Sequence, residues 1–178
     1  VAAESTATKY LVVDDDGQLF VLGNDGANEA FAADDLPEES LNAADWLHLT
    51  GQEPGTAAAL AARAQAAGVT VSVDPGRRVG ERGYDPVVER ADVVFLNDRE
   101  AASALSSVPP TATAVVKHGA AGAEVRVEGR TVSHVGYAVD AVDTTGAGDA
   151  FAAGFIAARV DGDDFERALA VANACGAF

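Results

Sequence analysis

Methionine is absent from all 178 residues, position 1 included, so the natural start of the protein is expected upstream of Val1. A single cysteine, Cys175, excludes an intrachain disulfide and any cysteine-based zinc cluster. It lies in the Ala-rich run 168–177 and reads as a small core residue. Lysine is nearly missing as well: Lys9 and Lys117 are the only two. Twelve basic residues face 28 acidic ones, and a formal charge of -16 argues against a nucleic-acid backbone or an anionic membrane as partner. No 18-residue apolar run exists, nor a basic start followed by an apolar stretch, so a cytoplasmic location is expected. The acids are spread through 14–16, 34–35, 38–39 and 161–164 rather than gathered in one tail. With abundant Ala and scarce Lys, this pattern suggests a halophilic protein, since salt screens self-repulsion; an acidic mesophilic protein is the alternative.

What is present reads as one α/β unit. Residues 10–13 and 18–22 flank Asp14-Asp15-Asp16-Gly17 and form an expected hairpin; Asp34 is a candidate cap in the acidic stretch that follows. From Trp46 the signals alternate: strand 46–49, helix 56–67 stopped by Gly68, strand 69–73, a short helix around 86–90, strand 93–96, and a helix beginning near Asn97 or Asp98. Such alternation implies a parallel sheet with helices on its faces. Ligands usually sit beyond the C-terminal strand ends, here near Asp74 and Asn97. After Pro109-Pro110 come a strand at 114–116, a glycine turn at 117–122, and a second hairpin from 124–127 and 131–135 joined by Glu128-Gly129-Arg130. A helix opening at Gly146 and a final helix from about 164 to 174 complete the chain.

The run Asp143-Thr144-Thr145-Gly146-Ala147-Gly148-Asp149-Ala150-Phe151 places an acid among glycines where a helix starts. Free peptide N–H groups and the positive helix end attract anions there. A carboxylate at Asp149 could take a proton from a hydroxyl attacking phosphorus; the plainer reading is an acidic cap after a Gly-rich turn. Neither the dinucleotide fingerprint nor the P-loop pattern is matched in full. His48, His118 and His134 have no nucleophile-elbow partner, and His48, alternating within a strand, reads as structural.

Five segments together, Gly26-Ala27-Asn28, Asn97-Asp98-Arg99-Glu100, 117–122, 143–151 and Asn173-Ala174-Cys175-Gly176-Ala177, resemble the PfkB family of carbohydrate and nucleoside kinases, the ribokinase-like family. The resemblance implies a ribokinase-like three-layer α/β fold with a mainly parallel sheet. Residues 1–30 would be a lid hairpin and return segment, and 31–178 the nucleotide-binding and catalytic portion, with the family's N-terminal portion absent. It implies ATP-dependent phosphorylation of a hydroxyl on a small sugar, sugar acid or nucleoside, with ATP and Mg²⁺ as cofactors. A non-catalytic nucleotide-binding regulatory or structural relative is the alternative.

By the same resemblance Asp149 is the base, and Gly146, Ala147 and Gly148 supply N–H groups to the phosphoryl oxygens. Lys117, Gly119 and Gly122 lie beside the nucleotide phosphates, with Asp143 and Thr145 in the phosphate region and Asn173 at the adenine pocket. Asn97 and Glu100 would share a helix face and orient Mg²⁺ through water; taken alone they read as a solvated helix terminus. Lys117 alone reads as a surface lysine. Asn28 and Arg77 fall on the substrate side, a salt bridge being the alternative for Arg77. A homodimer through the lid is a further expectation.

Overall fold

Six strands form one mixed sheet, lying side by side in their order along the chain. The computed structural model describes residues 5–13, 19–24, 26–76, 79 and 84–178. The strands are β3 (Trp46–Thr50), β4 (Thr70–Asp74), β5 (Val93–Asn97), β6 (Thr113–Lys117), β7 (Ala123–Val127) and β8 (Arg130–His134). β3 to β6 pair in parallel, and β7 and β8 add antiparallel strands at one edge. The parallel part follows from short Val- and Leu-rich runs separated by helices, which bury both strand faces. All parallel strands therefore end on one side, at Thr50, Asp74, Asn97 and Lys117.

Helices cover both sheet faces, giving three layers. α1 (Glu38–Asn42), α2 (Pro54–Ala66), α3 (Asp85–Val88) and α4 (Asp98–Ala104) pack Leu41, Leu60, Val87 and Ala104 with Leu49, Val71, Val73, Val94 and Leu96. α5 (Ala147–Val160) and α6 (Phe165–Ala177) pack Phe151, Phe155 and Leu169 against Phe95, Val115 and Val125 on the opposite face. The period of two along each strand divides the residues: Val71 and Val73 face α2, and Ser72 faces the other way. Ser72 is fully buried, yet its hydroxyl meets Trp46 Nε1 at 2.8 Å and His48 Nδ1 at 2.7 Å. Without partners, a buried hydroxyl would cost about 1–3 kcal/mol. This polar contact explains why His48 and Trp46 alternate with Leu47 and Leu49.

Several boundaries differ from those expected. The second hairpin turns on Glu128 and Gly129 alone, at φ 49° and 75°, so Arg130 already belongs to β8. Such paired positive φ values match the twist of the flanking strands. α6 runs through Gly176 to Ala177, where the absent side chain lets the helix approach Phe151: a Cβ on Gly176 would lie 3.3 Å from that of Phe151. Asp34 caps nothing; Asp35 accepts the Ala32 N–H at 2.8 Å in a short turn before Pro37. α5 ends on a Schellman pair, with Gly162 at φ 89° donating to Arg159 O and Asp163 N–H to Ala158 O.

β1 (Thr8–Val13) and β2 (Leu19–Asn24) form a separate antiparallel ribbon, in register from Thr8↔Asn24 to Val13↔Leu19. Its Tyr10, Leu11, Val12, Phe20, Val21 and Leu22 are exposed. The Asp-Gly turn expected between these strands lies outside the described residues. Among the described residues, no helix is long and apolar enough to cross a membrane.

Candidate active site

At the C-terminal ends of the parallel strands, the first turn of α5 meets side chains from β3, β4 and β6. Asp143 shapes the approach: its Oδ1 accepts the Thr145 N–H at 2.8 Å. That backbone bond, followed by one from the Thr145 side chain, holds the Asp143 carboxyl below its ordinary pKa. Gly146 then takes φ 82° as the residue before the helix, a left-handed position in which a side chain would be strained. The helix begins with Ala147 N–H on Thr144 O at 3.2 Å and Ala150 N–H on Gly146 O at 2.8 Å. Among the described residues, the N–H groups of Gly148 and Asp149 have no acceptor, as a first helical turn dictates. Gly146 N–H likewise meets no acceptor among the described residues, so of the expected donors Gly146, Ala147 and Gly148 it is Ala147 that is engaged in the turn.

Asp149 stands exposed in this turn. Beside it, a Cβ built on Gly148 would lie 3.5 Å from Lys117 Nζ, which places the ammonium at the helix start. Lys117 Nζ lies 2.5 Å from Asp74 Oδ2, and the two side chains are 16% and 13% exposed. Next to them is His48, whose pKa burial pushes below its ordinary value; Asp74 acts against that shift, Lys117 with it and Asp149 against it. Lys117, Gly148 and Asp149 are thus brought together. Asp74 completes the group, and no spacing pattern pairs it with Lys117.

The glycine turn sits alongside. Gly119–Ala121 forms a 3-10 turn closed by His118 N–H on Gly122 O at 2.8 Å. Gly122 is buried at φ 101°, and a Cβ there would collide with the His134 carbonyl oxygen. Close backbone approach, rather than turn formation alone, requires this glycine. Asn173 is buried behind the same loop, its Nδ2 lying 3.1 Å from His134 Nδ1 and 3.3 Å from His134 O. Its amide therefore fastens α6 to β8. His118 Nδ1 lies 2.6 Å from Asp98 Oδ1, linking the turn to the start of α4.

Asn97 and Glu100 form a complete capping box at that start, with Glu100 buried. Asn97 pairs in register with Lys117, so the box adjoins the site. Among the described residues, no three His, Cys, Asp or Glu side chains form a metal cage. A Mg²⁺ ion would rest on one or two carboxylates together with phosphate oxygens, as this ion commonly does. The carboxylate of Glu100 has acceptor capacity beyond its cap bond, which fits an outer contact through water. The side chain of Asn28 and all of Arg77 lie outside the described residues, so neither substrate-side expectation meets this structure.

A family model described as "pfkB family carbohydrate kinase" matches residues 1–178. An ATP-dependent ribose-1-phosphate kinase of Halopiger xanaduensis is 54% identical, the match covering 99% of this chain and 62% of that one. The fold is similar to a Thermotoga maritima ribokinase crystal structure, with a TM-score of 0.84 at 24% identity, over 99% of this chain and 63% of that one. An Escherichia coli structure in complex with ATP and Mg²⁺ matches with a TM-score of 0.80 at 25% identity, over 98% and 64%. These likenesses define a ribokinase-like α/β fold with a mixed sheet. The chain spans about three fifths of the length of the Halopiger relative.

Proposed function

The chain belongs to the pfkB family of carbohydrate kinases, and from that membership we propose that the protein transfers a phosphoryl group from ATP to a hydroxyl of a small sugar, sugar acid or nucleoside, with Asp149 as general base. One observation carries the reading: the exposed Asp149 carboxylate and the open N–H groups of Gly148 and Asp149 share the first turn of α5. A hydroxyl held there can give its proton to Asp149 as its oxygen bonds to the γ-phosphorus of ATP, while the bond from that phosphorus to the bridging oxygen breaks and ADP leaves. The N–H groups face the charge on the phosphoryl oxygens, already oriented by the helix. Lys117 adds a positive charge beside them. When bound, Mg²⁺ would neutralise phosphate charge. Asn97 and Glu100 would hold that ion through water. Gly119 and Gly122 would let the 117–122 turn approach the nucleotide closely, and Asn173 would hold α6 in place behind it.

Among the acceptor classes, a phosphorylated pentose is favoured by the name of the 54% identical relative. The experiment is an acceptor screen on the full-length protein with ATP and Mg²⁺. It includes ribose 1-phosphate, unmodified sugars, sugar acids and nucleosides, and follows ADP and the phosphorylated product together. Acceptor-dependent ADP matched by product supports the proposal. ADP release indifferent to every acceptor, or no release at all, would sink it.

A further inference from the structure

Asp74 and Lys117 stand 43 residues apart on strands that are not neighbours, since β5 lies between β4 and β6. A lysine carries a compact charge on a flexible four-carbon stem, so its position is indefinite unless another group holds it. Here the holder is itself fixed. Asp74 Oδ1 accepts the Gly76 N–H at 3.2 Å, its carbonyl accepts the Gly51 N–H at 3.3 Å, and Oδ2 is left for the ammonium. The resulting direction is toward Gly148, where a Cβ would stand 3.5 Å from Nζ.

Stability does not explain this placement. A cation at a helix N-terminus is opposed by the helix dipole, and a largely buried ion pair often adds nothing over apolar packing. Burial lowers the pKa of the neighbouring His48, with Asp74 acting against that shift and Lys117 with it. What the arrangement provides is a positive charge next to the open N–H groups of Gly148 and Asp149.

We propose that Asp74 is a positioning residue: it holds the Lys117 ammonium at the first turn of α5, where that charge meets the transferring phosphoryl group, and it does not itself touch the reacting atoms. This rests on the kinase reading above. It assigns Asp74 a role through Lys117, distinct from the direct ligand contact suggested by its place at a strand end.

The test uses the full-length protein with Asp74→Asn, Lys117→Met and the double variant. In the wild-type background, Asp74→Asn is expected to lower kcat about tenfold or more, because small displacements at a reacting centre have effects of that size. KM for the acceptor should change little. In the Lys117→Met background the same substitution should alter kcat by no more than a factor of about two. Without any substrate, acetylation of Lys117, followed by peptide mass spectrometry, should proceed several-fold faster in Asp74→Asn than in wild type. An equal kcat loss in both backgrounds, or an unchanged acetylation rate, overturns the proposal. If Asp74→Asn does not fold, Asp74→Glu keeps the charge but moves it by one methylene; wild-type kcat and labelling in that variant would be equally contrary. A wild-type protein without kinase activity would defeat the functional reading instead, and the labelling experiment would still decide whether Asp74 places Lys117.

Discussion

Asn97 and Glu100 close on each other: Asn97 Oδ1 accepts the Glu100 N–H at 2.9 Å, and Glu100 Oε2 accepts the Asn97 N–H at 2.9 Å. The pair starts α4 and adjoins Lys117 through the β5–β6 register. Asn97→Ala should cost about 1 kcal/mol, the usual worth of an N-cap. Glu100→Gln keeps an acceptor in the box but removes the charge. If Glu100 also faces Mg²⁺-bound water, this variant should need more Mg²⁺ for half-maximal turnover while its thermal midpoint moves little. Magnesium titrations of turnover beside unfolding curves separate the two roles; unchanged Mg²⁺ dependence confines Glu100 to the cap.

His48 predicts a pH dependence of stability. Its folded-state pKa is lowered from 6.5, chiefly by burial. Between the lowered value and 6.5, the unfolded chain binds more protons than the folded one, so stability falls as pH descends through that window. Below the folded value this contribution levels off. His48→Gln cannot titrate and should flatten the slope measured in urea between about pH 7.5 and pH 5. An identical slope in wild type and variant would show that His48 is not its source.

Gly154 lets α5 meet α6 closely. A Cβ there would stand 2.8 Å from Cys175 Sγ, 3.1 Å from its Cβ and 3.2 Å from Ala172 Cα. Helix propensity alone would favour Gly154→Ala by about 1 kcal/mol. Overpacking costs about 1–3 kcal/mol, and the backbone of α6 cannot rotate out of the way. Net destabilisation is therefore expected in denaturant unfolding, with partial recovery when Cys175→Ala removes the sulfur. A more stable Gly154→Ala protein would mean that the helices separate readily.

The parallel core was legible because its strands are short Val- and Leu-rich runs set between helices, as at 71–73 and 93–96. The Asp143–Phe151 run also announced its helix start, since Gly146 takes the left-handed turn that a glycine permits. Less was legible where distant packing decides. Nothing local predicts that α6 continues through Gly176, because the cause is Phe151 on another helix. The Asp74–Lys117 contact depends on two strands converging across a third. Asn97-x-x-Glu100 was readable as either a terminus or a metal contact; the capping box is what the backbone demands, and the metal role rests on chemistry beyond it.

The acidic surface predicts dependence on salt. With 28 acids against 12 bases, self-repulsion should be severe at low ionic strength and screened near 1 M, where the Debye length is about 3 Å. Unfolding free energy should rise from very low salt to molar potassium chloride. Undiminished stability at very low salt would count against adaptation to high salt.

Turnover of Asp149→Asn, with ATP affinity measured on the same full-length protein, bears most directly on the proposed chemistry. Asparagine keeps the size of the side chain and the open N–H groups of the α5 turn but cannot accept the proton. A base at Asp149 predicts a fall in kcat of about 10² to 10⁴ with ATP affinity little changed. Near-wild-type turnover would contradict it.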